Sequence, residues 1–293
     1  MPNPRLRDIW PFSKPKTPGF GISEGFYLSV LAGTARLPAI VEVVEPKGQA
    51  GTVRGFGAPL SGGADKSKLV SPIERGAYAI ASPDQKTVLQ MLVLPKEEAG
   101  FDPEAFLRSS LSLGMPDEMR NRIRAVWTLC QLTFRAHDPA VYPSLDFLLA
   151  IACRLGVLTE GVVADPLGQT YRLPERVPLP DSRQPVDARN FVTIGTEEGY
   201  AWTMGMQKFA LPEFEIEVAP GDEPLGGEFL LGLCQGVLVN GPLEPGVKVG
   251  SRQTPLQVAD GGLTPKWEGI ACYEIIPSGG DVHEALKAWA DER

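Results

Sequence analysis

The stretch NFVTIGTEEGYAWTMGM, Asn190–Met206, decides the fold of this chain's C-terminal half. Branched and aromatic residues flank Glu197, Glu198 and Gly199, so the segment predicts two strands around a Glu-Glu-Gly turn. In the second strand Tyr200, Trp202, Met204 and Met206 share one face, while Ala201, Thr203 and Gly205 share the other. The bulky face is expected to pack on a core, with a cofactor platform as the alternative. The small face leaves room for a helix or another backbone to approach closely.

Working outward, EFEIEV alternates cleanly. Phe214, Ile216 and Val218 are expected inward, with Glu213, Glu215 and Glu217 outward on a solvated face that protects a sheet edge or meets a basic partner. GGEFLLGLCQGVLVNG reads as a helix whose Gly232 and Gly236 let it sit close to the sheet. Two β runs, Leu256–Ala259 and Ile270–Ile276, lead to a last helix with a capping-box spacing at Asp281 and Glu284 and a buried stripe of Val282, Leu286 and Trp289.

Upstream, PERVPLPDSRQP, Pro174–Pro185, carries four prolines and marks a linker. Before it lies a unit of order β-α-α-β-α-β-β. It comprises a branched run at KTVLQMLVLP, a helix N-capped by Asp102 with Pro103 at its first position, and a second helix through Met119, Ile123 and Val126. A strand at WTLCQLTFRA, a core helix at YPSLDFLLAIACRLG stopped by Gly156, and a hairpin turning at Asp165, Pro166 and Gly168 complete it. FYLSVL and AIVEVV read as strands, and the glycine-rich GQAGTVRGFGAPLSGGADKS as flexible turns. The expectation is an α+β fold of two mixed sheet-and-helix units, ferredoxin-like sandwich in type. Its divisions are an N-terminal arm and first β region (1–75), a first unit (76–173), the linker (174–185) and a second unit (186–293).

A net charge of -8 and a pI near 5.0 lack the basic footprint of a nucleic-acid binder. Cys130, Cys153, Cys234 and Cys272 form no C-x-x-C pair and sit among apolar neighbours, which predicts free thiols and a reducing compartment. With two histidines and no clustered ligands, no metal and no cofactor are expected. No signal peptide or spanning segment is read, so the expected location is the cytoplasm, without membrane contact. The proline-rich first eighteen residues, with Arg5, Arg7 and Trp10, form an extended arm that could dock on a partner or on the protein's own body.

Catalytic motifs fail one by one. GISEG, Gly21–Gly25, has the spacing of a nucleophile elbow, but prolines precede Ser23 and a strand follows it. Its formal partners would be Asp165 and His283, and His283 falls in the first turn of a helix, where an imidazolium is disfavoured. HEALK has Lys287 where a zinc-binding motif needs its second histidine, and Asp65 beside Lys66 spoils a phosphate loop. His137 and Asp138, at a strand end before a helix carrying Asp146, are the remaining acid-base candidates, with a simple turn as the bland reading.

GYAWTMGMQKFALPEFEIEV resembles a motif of an uncharacterised bacterial family, in which a Thr-x-Gly-(Leu/Met) strand leads into a Phe-x-x-Pro-Glu-(Leu/Phe)-Glu turn. PSLDFLLAIACRLGVLTEGVVADPLGQTYRLPE is similar to that family's helix and Gly-Gly-Val-x-x-Asp-Pro turn, with Glu160 in place of the first glycine. The resemblance covers Lys86 to the C-terminus and implies a fold but no activity and no catalytic residues. The leading expectation is a non-catalytic binding or interaction protein, with a protein partner or a second copy as occupant. Its candidate surfaces are Arg5, Arg7, Trp10, Glu213, Glu215 and Glu217. The alternatives are a hydrolase-like enzyme using His137 with Asp138 or Asp165, and a structural subunit of an assembly.

Overall fold

The computed structural model describes residues 21–44, 56–59, 69–138, 141–179, 185–262 and 265–293. The arm with Arg5, Arg7 and Trp10 lies outside them, as do Asp65 and Lys66. The described residues have the expected α+β content, arranged on two sheets.

The first sheet has seven strands: β1 (Tyr27–Ala32), β2 (Phe56–Pro59), β3 (Gly76–Ala81), β4 (Val88–Pro95), β5 (Thr128–Ala136), β6 (Val162–Asp165) and β7 (Thr170–Arg172). Their order is β2-β3-β4-β5-β1-β6-β7, and every neighbouring pair is antiparallel. Although β1 belongs by sequence to the region before residue 76, it is inserted between β5 and β6 and its Val30 and Ala32 are fully buried.

Helices α1 (Ile40–Val44), α2 (Pro103–Arg108), α3 (Asp117–Arg124), α4 (Val141–Leu158) and α5 (Ala188–Phe191) accompany this sheet and its exit. Asp102 caps α2 as its sequence predicts, its carboxylate accepting from the Glu104 and Ala105 amides, with Pro103 at the first position. Helix α4 packs on β1 and feeds the main core. Leu31 points the other way, into a smaller cluster with Leu107, Met119 and Ile123. By length and composition α4 could cross a membrane, but 61% of it is buried in the fold.

Two local expectations are overturned here. AIVEVV is helical as α1, where Ile40, Val43 and Val44 bury one stripe at helical spacing and Glu42 accepts from the Ala39 amide at the helix start. The glycine-rich loop contains a strand, β2, paired along β3. Backbone pairing with a neighbour made that strand, and no side-chain pattern announced it.

The second sheet has six strands: β8 (Thr193–Glu197), β9 (Tyr200–Met204), β10 (Glu213–Glu217), β11 (Lys248–Gly250), β12 (Pro255–Asp260) and β13 (Cys272–Pro277). The order is β11-β12-β13-β10-β9-β8, with a parallel join between β10 and β13 at its centre. Helices α6 (Glu223–Asn240) and α7 (Val282–Asp291) pack side by side, Phe229 meeting Trp289 edge-on at 5.2 Å. Asp281 caps α7 through the His283 amide, and Leu286 is fully buried.

The row Ala201, Ile216, Ile275 and Val258 crosses four strands beneath these helices, each residue at most 1% exposed. The glycines that admit α6 are Gly226 and Gly227, where added Cβ atoms would lie 3.0 Å from Val218 and 2.8 Å from Ile194. Gly236 faces open space and Gly232 faces Trp289, so the expected pair has no such role. One continuous hydrophobic core joins the two sheets, including Phe26 and Leu132 from the first and Phe214 and Ile275 from the second.

Helix α4 runs two residues past Gly156 and stops at Glu160 and Gly161. The Gly161 amide bonds the Gly156 carbonyl (2.8 Å) and the Glu160 amide that of Val157 (3.4 Å), closing a Schellman motif. Glu160 is left-handed, with φ +50°. Gly161 lies against the β1 backbone, where a Cβ would stand 2.5 Å from the Leu31 carbonyl oxygen. Glu160→Gly should therefore raise unfolding free energy by about 0.5–1 kcal/mol through relief of strain. Gly161→Ala should lower it by about 2 kcal/mol or more through overpacking. Paired urea unfolding curves decide both signs.

Candidate functional site

Two polar constellations stand out, one sealed and one open. The sealed one is built on Lys208, whose side chain is fully buried. It sits in the 3-10 turn Met206–Phe209 between β9 and β10. Its ammonium donates to the Asp165 carboxylate at the end of β6 and to the Phe191 carbonyl at the end of α5. The Phe26 and Phe191 rings lie 5.9 and 5.8 Å from the nitrogen.

The same turn is held by Glu213, which accepts from the Thr203 hydroxyl (2.7 Å) and the Gly205 and Gln207 amides (2.7 and 3.1 Å). Asp165 also accepts from the Gly168 amide at 3.0 Å. Burial lowers the Lys208 pKa, and the Asp165 charge works against that shift. The adjoining cavity is about 20 Å³, room for roughly one water molecule and for no substrate. This constellation is a structural pin.

The expected catalytic groups are engaged separately. Ser23 lies in a turn ahead of β1, its hydroxyl accepting from the Gly25 amide (3.2 Å) and its amide donating to the Lys208 carbonyl (2.9 Å). His283 Nδ1 is 2.5 Å from Asp222, and Asp165 is paired with Lys208. His137 is exposed, with Nδ1 3.3 Å from the Asp138 carbonyl oxygen. Asp138 pairs with Lys86 at 3.5 Å, and its amide donates to Ser144. The His137 ring meets Phe134 edge-on at 6.0 Å, and Phe134 in turn meets Phe26 at 6.0 Å. Half-buried Asp146 has a raised pKa because burial disfavours its charge. Among the described residues, no group of three or more His, Cys, Asp or Glu is placed to hold a metal.

The open constellation is the face of the second sheet opposite the helices. There the row Gly195, Trp202, Glu215, Glu274 and Ala259 crosses five strands, and Tyr200 pairs in register with Glu197 on one side and Glu217 on the other. The small face of β9 lies under the helix as expected, whereas Tyr200 and Trp202, expected to pack on a core, are on the open face; Met206 from the same set is buried in the core. Tyr200 is 40% exposed, whereas Ala201 and Thr203 are fully buried.

Glu213 and Glu215 correct the second expectation. They are 1% and 7% exposed, so Glu217 alone of the three is solvated. Each buried carboxylate is tolerated because protein donors surround it. Glu215 accepts from the Trp267 indole (2.6 Å) and the Gly262 amide (3.1 Å), which fastens the segment after β12 onto the sheet.

That segment carries Lys266 across the face. Its ammonium sits 4.1 Å from the Trp202 ring centroid, 5.4 Å from Trp267 and 5.7 Å from Tyr200, with Glu215 at 3.7 Å. The Trp202 indole lies flat over Gly195 on the neighbouring strand, where any Cβ would collide with it. The surface is rich in negative charge. Burial and then the charges of Glu215 and Glu217 raise the Glu274 pKa, and Glu217 foremost raises that of Tyr200.

Comparison with protein-family models, curated proteins and solved structures finds no match for this chain.

Two predictions test these constellations. Lys208→Met strands the Asp165 carboxylate in the core and should cost about 3–5 kcal/mol by chemical denaturation. Adding Asp165→Leu to it should recover part of that loss. On the open face, the raised Glu274 pKa means the folded state takes up a proton at higher pH than the unfolded chain. Stability is therefore penalised above the folded pKa and regained as pH falls through it. Glu274→Gln should raise Tm at neutral pH, and the gain should shrink below the folded pKa, as followed by thermal melts across pH.

Proposed function

We propose that the chain is a non-catalytic binding protein and that the open face of its second sheet recognises a cationic group on a protein partner. One observation carries this reading: an ammonium, that of Lys266, already rests among Trp202, Trp267 and Tyr200 beside a carboxylate. A cation over aromatic faces is worth about 0.5–2 kcal/mol, more when water is excluded. Glu217 and Glu274 add charge that a single lysine does not balance.

We also propose a cytoplasmic location and kinship to the uncharacterised bacterial family. The latter is supported by a left-handed backbone at Glu160. The ferredoxin-like type is likewise proposed, supported by the two helices on one face of the second sheet.

Calorimetric titration with a lysine- and arginine-rich peptide tests the binding reading. Binding should weaken with added salt, and Trp202→Leu or the pair Glu217→Gln and Glu274→Gln should each reduce affinity about 10-fold, or about 1.4 kcal/mol. Equal affinity in these variants, or no binding to the native protein, would overturn it.

A further inference from the structure

The way Lys266 is held says more about the ligand than its charge does. The ammonium has three hydrogen-bond donors. Yet Glu215, which accepts from the Trp267 indole and the Gly262 amide, lies 3.7 Å from the ammonium, beyond hydrogen-bonding distance. The three rings, at 4.1, 5.4 and 5.7 Å from the nitrogen, offer π faces in place of acceptors. The site thus supplies negative potential and flat apolar walls, and among the described residues the protein offers the ammonium no hydrogen-bond acceptor on its ring-facing side.

A primary ammonium is a poor match to such a place, since it is strongly hydrated and gives up hydrogen bonds on entry. A quaternary ammonium has no N–H to satisfy, spreads its charge over methyl groups and makes van der Waals contact with rings. We infer, resting on the binding reading above, that the preferred ligand of this cage is a quaternary ammonium group, and that Lys266 is a tethered, weaker occupant which that ligand displaces.

The surrounding structure fits a displaceable occupant. The Lys266 side chain is 35% exposed, so it can swing outward without opening the core. The walls do not depend on it. Trp267 is only 5% exposed and is fixed by Glu215, while Trp202 is seated on Gly195. The cage is therefore preformed, and self-occupancy taxes the apparent affinity of any external cation by the fraction of empty cage.

The test uses the full chain and three probes: choline, a short peptide carrying one trimethyllysine, and the same peptide unmodified. Affinity is read by calorimetry, and the N-methyl proton resonance reports whether the group lies over rings. The expected result has three parts. A trimethylammonium probe shows an upfield-shifted resonance and binds at least about 10-fold tighter than the unmodified peptide. Lys266→Ala tightens that binding about 5- to 10-fold further, within the range of one cation-π contact. Trp202→Leu abolishes it.

Choline binding as well as the peptide marks a free small-molecule ligand, and peptide binding alone marks a methylated protein. Both support the inference. Equal affinity for methylated and unmodified peptide would overturn it while leaving the cationic-partner reading standing. Loss of all binding, in both native protein and Lys266→Ala, would overturn both. If Lys266→Ala unfolds, Lys266→Met, which keeps the stem, supplies the same comparison.

Discussion

A buried ammonium holds this molecule together. Lys208 reaches from a turn of the second sheet to Asp165 at the end of β6 and to the Phe191 carbonyl leading into β8. The backbone around the pin is drawn in as well: the Ser23 amide bonds the Lys208 carbonyl, the Gly21 amide bonds that of Phe209, and the Thr193 hydroxyl bonds that of Gly168. Four separate stretches of chain thus converge on one charge. Such a pair adds little net stability compared with an apolar replacement, because both ions leave water. Its value lies in direction. A hydrophobic contact between the sheets could slide, whereas an ammonium with fixed acceptors tolerates one arrangement.

The second sheet shows how one alternating pattern serves two ends. Ala201 and Thr203 are small enough for α6 to lie close, so the apolar bulk in β9 had to go to the other face. The segment after β12, with its 3-10 turn Pro265–Trp267, partly crosses that face. The aromatic residues that would ordinarily close a core are left as the walls of a cage. Gly195 belongs to the same economy: its missing side chain gives the Trp202 indole a flat seat.

Much of the fold was legible in the sequence where a single element declares itself. Asp102 with Pro103, the apolar run of α4, and the β6–β7 hairpin at Asp165, Pro166 and Gly168 all carry their cause locally. Legibility failed where the cause was distant. EFEIEV alternates as a solvated edge strand would, but β10 lies at the centre of the sheet, and donors from Thr203, Gly205, Gly262 and Trp267 make burial of Glu213 and Glu215 tolerable. No window around residue 213 contains those donors. Lys208 and Asp165 are 43 residues apart, and nothing near Lys208 marks it as a lysine to be buried. The left-handed backbone at Glu160 belongs to the helix ending and could not be read from residue type.

The two constellations are also linked through one strand. Glu213 holds the turn that aims Lys208 inward, and Glu215, two residues on, holds the segment that brings Lys266 across the open face. Parallel placement of β13 beside β10 sets Glu274 next to Glu215, so the charge of the cage follows from the same register that completes the core. A slip of β10 by one residue would turn Phe214 and Ile216 outward, unpin Lys208 and dismantle the cage together. The fold therefore cannot vary the recognition face freely while keeping its core. What it can vary is the occupant, because Lys266 sits on a connecting segment and contributes no strand pairing of its own.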